Sequence, residues 1–373
     1  MKVILAAGIF YPDVGGPAIH VRKIADALNQ AGFRPVVVTY GVPSSEHLSY
    51  PVFRISRALP LPLRVVVYFF RVLFEARNAR IVYAFDLTSA GLPAFFAAKI
   101  LFRKFIIRIG GDPIWERVVE KGERFISLDE YYKKGFHLED KAVLYKVLRF
   151  MISRVDHIVV YSEQMKSFYL KNFGADQSKI TVIPNPCKRR EVASLELFGE
   201  PTLLFAGRFV AYKNLHFCVE TFVRLHKKIG KGRFIMIGDG PEKATLQKYI
   251  TKHRADSYIK IESPKPQSEL FEYIRKASVC IIPAISEFNP NFGLESLSFG
   301  KPVLVSEGHG LTVPIPPQFV FNPFDTSDLE GKLEFLFDAE NYKKAVETVS
   351  RLPMNFGWED VIDAHLNLVR NFS

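Results

Sequence analysis

A short apolar strand at residues 2–7, a loop rich in glycine and proline at 8–17, a helix over 17–31 stopped by Gly32, and a second strand at 35–40 open this chain. That order commits it to parallel strands joined by crossover helices, the start of an open, doubly wound α/β sheet. The alternation returns along the chain, with further strands expected at 80–83, 104–109, 157–161, 181–183, 201–206, 233–237, 258–261, 278–282 and 303–305. A chain of 373 residues exceeds one ordinary core and suits two domains of similar size. Pro184-Asn185-Pro186 reads as the linker, so the expected domains are 1–186 and 187–358, followed by an amphipathic tail helix at 359–372.

Hydrophobic residues make up 48% of the chain, the composition of a soluble globular protein. Met1-Lys2 leads straight into a strand, so no signal peptide is expected. The most apolar stretches, 59–74 and 90–102, are cut by Arg64, Arg71 and Lys99 and fall short of the roughly 20 residues of a spanning helix. Cys187, Cys218 and Cys280 are odd in number and widely spaced, which suggests reduced thiols and a cytoplasmic protein. The nine histidines show no ligand spacing, so no metal site is expected.

Charge is unevenly placed. Residues 1–180 hold 26 lysines and arginines against 16 aspartates and glutamates, +10, whereas the remainder holds 24 against 23, +1. Such a field suits an anionic membrane surface or an anionic acceptor. Zinc-finger spacing and RNA-binding aromatic motifs are absent, so nucleic acid is not an expected partner. Within the basic half, 59–80 is apolar and aromatic and carries Arg64, Arg71, Arg77 and Arg80. It reads either as a membrane-resting helix, peripheral on the inner face of the cell membrane, or as a half-buried helix with snorkelling arginines.

The chemistry centres on 283–306. Pro283 stops a buried strand, a polar loop runs to Asn291, and Asn291 reads as the N-cap of a helix over 292–299 ended by Gly300. Amides at such a terminus lack intrahelical partners and favour a phosphate or sugar hydroxyl. Glu287 and Glu295 bracket this site, placed to accept hydrogen bonds from hydroxyls on either side of a phosphate; the alternative is a solvated loop charge and a helix-start carboxylate.

Other loops follow strand ends. Gly15-Gly16-Pro17 puts two glycines at a helix start, for phosphate approach or for a tight turn. Asp112, in Gly110-Gly111-Asp112-Pro113, sits where open sheets bind ligands, or serves turn chemistry before proline. Arg208 and Lys213 share one loop, suited to gripping a diphosphate, and Gly238-Asp239-Gly240-Pro241-Glu242 follows the next strand.

Taken together these motifs resemble the family 4 (group 1) retaining glycosyltransferases, which have the GT-B fold: two Rossmann-like doubly wound domains facing across a cleft. Glu287 and Glu295 with Gly300-Lys301-Pro302-Val303 match the family's C-terminal signature. Gly207-Arg208 with Lys213, the turn from Ile237 to Glu242, and Tyr11-Pro12 with Gly15-Gly16 match its other motifs in order. The resemblance implies that Glu295 binds the nucleotide ribose, Arg208 and Lys213 the pyrophosphate, and Glu287 the donor sugar. Backbone amides near Asn291, Phe292 and Gly293 would meet sugar or phosphate oxygens, Gly16 the phosphate, and Ser263, Pro264 and Lys265 the base, with Gly15 and Gly238 as further substrate-binding candidates. The tail helix, about 359–373, would cross back onto the first domain.

Where many members keep a histidine, this chain has Gly110-Gly111-Asp112, which makes Asp112 a candidate substitute. Ser263 stands where many relatives have glycine. The resemblance implies retaining transfer of a sugar from a nucleotide diphosphate sugar to a glycan, lipid-linked or other anionic acceptor, with Glu287, Asp112, Arg208 and Lys213 as catalytic candidates. No cofactor is expected, and no D-x-D motif calls for a metal. The alternatives are a GT-B sugar phosphorylase or epimerase, or a non-catalytic nucleotide-sugar-binding protein.

Overall fold

The computed structural model describes residues 1–13, 15–43, 47–190 and 199–372. Residues 191–198, within the expected second domain, and Ser373, at the end of the expected tail, lie outside the described residues. The chain forms two compact units. Unit 1 comprises Met1–Ile114, His137–Pro184 and Trp358–Ser373, and unit 2 comprises Trp115–Phe136 and Asn185–Gly357. The excursion of Trp115–Phe136 into unit 2 departs from a single break at 186. It carries aromatic side chains that pack on unit 2 loops, which no local periodicity announces.

Unit 1 holds β1 (Lys2–Ala6), β2 (Arg34–Tyr40), β3 (Val52–Ile55), β4 (Ile81–Ala84), β5 (Lys104–Arg108), β6 (His157–Val160) and β7 (Ile180–Val182). They form one parallel sheet in the order β3-β2-β1-β4-β5-β6-β7, with Leu5 opposite Val37 and Tyr83. Parallel strands covered on both faces read as unbroken apolar runs, and Val3, Ile4, Leu5 and Ala6 are all fully buried. β3 escapes sequence reading because it is a half-exposed edge strand interrupted by Arg54. The helices α1 (Gly16–Gln30), α2 (Leu61–Ala76) and α3 (Gly91–Ile100) supply the crossovers near its middle.

The tail helix Trp358–Asn371 belongs to unit 1, packed on α1, with the Trp358 ring 4.6 Å from that of His20. Its His365 is buried between two sheet residues. Arg108 can only donate, so His365 Nε2 accepts from its guanidinium, which leaves Nδ1–H to donate to the Tyr83 hydroxyl 2.8 Å away. Burial and the Arg108 cation hold both His365 and His20 well below the ordinary histidine value of 6.5.

Unit 2 adds β8 (Cys187–Lys188), β9 (Thr202–Ala206), β10 (Arg233–Ile237), β11 (Ile259–Glu262), β12 (Val279–Ile282), β13 (Val303–Ser306), β14 (Val320–Phe321) and β15 (Asn355–Phe356). Six form a parallel sheet in the order β11-β10-β9-β12-β13-β14, while β8 and β15 make a small antiparallel pair. The core gathers Phe205, Phe222, Phe234, Leu297 and Leu304 around the central strands.

The buried histidines predict a pH response. Below about 6.5 the unfolded chain takes up protons that the folded chain refuses, so stability is complete above that value and falls on acidification. Each histidine contributes up to ~1.4 kcal/mol per pH unit to that slope. Urea unfolding midpoints across this range should show a flatter acid limb for His365→Gln, and an unchanged slope would refute the assignment.

Candidate functional site

In unit 2 the chain passes from β9 to β10 and β11 on one side, then crosses to β12 on the other. Loops following β9 and β12 therefore diverge at the carboxyl edge of the sheet, where such folds bind ligands. Arg208 and Lys213 leave β9 there; Glu287 and Asn291 leave β12.

The Arg208 loop is pinned by the turn after β10. Gly207 N–H donates to Ile237 O at 3.0 Å, Phe209 N–H to Asp239 O at 2.8 Å, and Glu242 N–H to Phe209 O at 3.1 Å. A Cβ on Gly238 would lie 1.9 Å from the Gly207 carbonyl oxygen, and one on Gly240 2.3 Å from that of Phe209. Only glycine permits this approach. Gly238 thus shapes the loop that carries Arg208.

Both cations are matched with carboxylates. The Arg208 guanidinium lies 3.4 Å from Glu120 Oε1 with its side chain 64% exposed, while Lys213 and Glu287 form a largely buried ion pair. Between them, burial raises the Tyr212 hydroxyl far above its ordinary value of 10.0, and Glu116, Glu287 and Glu120 add to that shift. Ile285 N–H donates to Tyr212 O at 2.9 Å, tying the two loops together.

The Glu287 loop is held from the other side. Glu287 N–H donates to Gly308 O at 2.8 Å and Asn289 N–H to Gly310 O at 3.0 Å. Asn289 adopts a left-handed φ of 52°. Its Oδ1 accepts from Thr312 N and Oγ1, both at 3.2 Å, and its buried Nδ2 has no partner among the described residues.

The following helix spans Asn291–Ser298 and is capped by Pro290, with no side-chain capping bond, and not by the expected Asn291. Pro290 holds the extended φ and ψ that a cap needs, so Asn291 is already helical. Phe292 is buried, its ring 6.2 Å from that of Phe205, and a Cβ on Gly293 would sit 3.3 Å from Ile282 and Leu311 side chains. These positions offer a ligand backbone amides rather than side chains.

One turn on, Glu295 Oε1 accepts from Gln267 Nε2 at 2.6 Å. Burial raises its carboxyl above the ordinary value, with Gln267 and Arg190 opposing the shift. Gln267 opens the helix after the Ser263, Pro264, Lys265 loop, in which Lys265 pairs with Glu262 at 3.3 Å. The structure therefore joins the 263–265 loop to Glu295 through a residue that sequence reasoning did not single out.

The larger omission is the 115–136 segment. Trp115 packs on Tyr212, with rings 5.4 Å apart, and Glu120 reaches Arg208 from the end of α4 (Pro113–Glu120). Leu128 N–H donates to Ser286 Oγ at 2.9 Å, and Phe125 meets Phe324 edge to face. The segment thus lies over the Arg208 and Glu287 loops. Trp115 and Glu116 follow Gly110-Gly111-Asp112-Pro113 closely in the sequence, but nothing local told which strand ends they would meet.

The remaining candidates lie in unit 1. Gly15 caps and Gly16 begins α1, whose start carries no side-chain cap. Asp112 is fully buried, and its Oδ1 accepts the Ile114 N–H at 3.0 Å, which places it in the turn before α4. Among the described residues no cluster of three or more His, Cys, Asp or Glu is arranged to hold a metal ion.

Two parallel sheets with flanking helices and these carboxyl-edge loops define a GT-B protein. Residues 14–189 match the family model "Glycosyltransferase Family 4" and residues 188–351 match "Glycosyl transferases group 1". This chain belongs to the group 1, family 4 glycosyltransferases. It is similar to an uncharacterized glycosyltransferase of Methanocaldococcus jannaschii, 25% identical over 275 residues, 66% of each chain. It is also similar to the gpi3 subunit of phosphatidylinositol N-acetylglucosaminyltransferase from Schizosaccharomyces pombe, 19% identical over 96% of this chain and 78% of that one. Among solved structures, Anabaena HepE in complex with UDP-glucose is 14% identical with a TM-score of 0.73 over 100% of both chains. The chain spans between 44% and 66% of the length of the first curated relatives it matches.

Glu120 pairs with Arg208, an exposed cation at the carboxyl edge of the sheet. Glu120→Ala should therefore tighten nucleoside diphosphate binding by up to about fivefold, the worth of an exposed ion pair. Calorimetric titration giving unchanged or weaker affinity would refute that competition.

Proposed function

We propose that this protein transfers a sugar, with retention at the anomeric carbon, from a nucleotide diphosphate sugar to a glycan or lipid-linked acceptor. The observation that carries this reading is the convergence of Arg208, Lys213 and the Asn291–Ser298 helix start at one switch point. The UDP-glucose held by HepE supports such a donor, and the phosphatidylinositol named in the Schizosaccharomyces pombe relative supports a lipid-linked acceptor. Glu295 binds ribose hydroxyls and Glu287 the donor sugar, with the base beside Ser263 to Lys265. Gly15, Gly16 and Asp112 are the candidates unit 1 contributes.

The donor C1–O bond to phosphate breaks as the acceptor oxygen bonds C1 on the same face. The acceptor's proton passes to the departing phosphate oxygen. Arg208, Lys213 and the helix-start amides stabilise the charge that grows on the diphosphate, so the scheme requires neither a metal nor a cofactor. We place the protein in the cytoplasm, peripheral on the inner face of the cell membrane.

Two measurements test this. Screening nucleotide sugars by thermal shift, then identifying products by mass spectrometry, should reveal a transferred sugar and full turnover after EDTA treatment. Loss of activity in EDTA with rescue by Mg²⁺ or Mn²⁺ would sink the metal-independent scheme. Glu295→Ala should weaken nucleotide binding at least tenfold, the value of a charged hydrogen bond. Glu287→Ala should chiefly slow transfer, because it leaves Lys213 free for the diphosphate; equal nucleotide affinity in wild type and Glu295→Ala would overturn this division.

A further inference from the structure

Unit 1 has a switch point of its own, between β1 and β4, and a pocket of about 580 Å³ opens beside it. Its walls include Ile9 and Asp13 after β1, Tyr40 at the end of β2, Arg57 after β3, Ser89 after β4, and Arg64 on α2. Arg57 pairs with Asp13. Arg64 lies over the Tyr40 ring, 5.4 Å from its centroid, and no carboxylate pairs with it among the described residues. The pocket therefore holds cationic capacity for an anion.

Leu61 also lines the pocket, is 62% exposed, and begins an apolar surface that continues along α2. That helix buries Tyr68 and Val72 and turns Leu63, Val66, Phe70 and Phe74 outward, both phenylalanines 58% exposed. α3 packs beside it and adds Phe96 and Ile100, with Phe102 94% exposed just past its end. Soluble surfaces rarely leave so many large apolar groups together.

Charge selects the partner. Residues 54–104 contain nine lysines and arginines against two acidic groups, Glu75 and Asp86, and from outside the stretch Asp13 pairs with Arg57 and Asp156 with Lys99 and Lys104. Both are engaged: Glu75 is buried against Lys2 and Arg71, and Asp86 accepts the Ala90 N–H at the start of α3. A protein partner with an apolar face needs no such excess, whereas an anionic bilayer attracts it. No described helix is long and apolar enough to cross a membrane, so α2 would lie along the surface.

We infer that α2 and α3 rest on an anionic bilayer and that the Arg57–Arg64 pocket receives the phosphate of an amphiphile held in it. This rests on the transfer reading, since it names the acceptor class, but lipid binding is measured separately. Vesicle flotation should show binding to phosphatidylcholine mixed with phosphatidylglycerol and none to phosphatidylcholine alone. Phe70→Ser/Phe74→Ser should cut vesicle affinity at least tenfold and, because both side chains are exposed, keep a native circular dichroism spectrum. Arg64→Ala should cut it about fivefold. It should also abolish binding of water-soluble short-chain phosphatidylglycerol, which the phenylalanine variant retains.

Absence of vesicle binding by the wild type at low salt would overturn the inference. Glycerol phosphate bound as tightly as the short-chain lipid would also overturn it, in favour of a soluble phosphate ligand. A wild-type chain that binds nucleoside diphosphates but no vesicles loses this inference alone. One that binds vesicles but moves no sugar loses the transfer reading alone.

Discussion

Parallel pairing is the constraint on which the rest depends. A parallel strand cannot return to its neighbour by a hairpin, so each connection here is a crossover that packs against a sheet face. Strands such as Lys2–Ala6 and Val279–Ile282 are then buried on both sides, and polar residues are expelled to the strand ends. Wherever the direction of winding reverses, two carboxyl-edge loops separate and leave a concavity. Unit 1 reverses between β1 and β4, and unit 2 between β9 and β12. Gly15, Gly16, Arg208, Lys213, Glu287 and Asn291 follow strands at those reversals, whereas Asp112, Gly238 and Ser263 to Lys265 follow β5, β10 and β11.

Within unit 2, the polar groups are supported by backbone contacts before any ligand is considered. The Arg208 loop leans on glycines whose missing side chains permit carbonyl contact, and the Glu287 loop leans on the Gly308 to Gly310 turn. Arg208 and Lys213 each face a carboxylate, which limits the cost of keeping cations partly shielded from water. Because Glu120 arrives on the segment spanning Trp115–Phe136, the ion pairing of Arg208 depends on the placement of that segment.

Much of this was legible in sequence because short-range rules govern it. Apolar runs bounded by glycine and proline mark the central strands, and Gly300 after a short apolar helix marks its end. Other features obey longer-range rules. β3 is a half-exposed edge strand with no apolar run, and Pro290 rather than Asn291 caps its helix because the extended backbone there falls one residue earlier. The bond from Gln267 to Glu295 joins residues 28 positions apart, a separation no window spans. Asp112 left two readings in the sequence; the structure adds full burial and a bond to Ile114 N–H.

Alone, then, the order of residues determined the α/β class, the winding and the loops that end on helix starts, since these follow from periodicity and from the chemistry of glycine and proline. Tertiary structure decided which distant groups meet: Glu120 with Arg208, Trp115 with Tyr212, His365 with Arg108 and Tyr83. It also decided which face of α2 stays outside, leaving Phe70 and Phe74 exposed while Tyr68 and Val72 are buried. The reason is physical: local propensity acts over a few residues, whereas burial and ion pairing depend on neighbours that only the folded chain brings together.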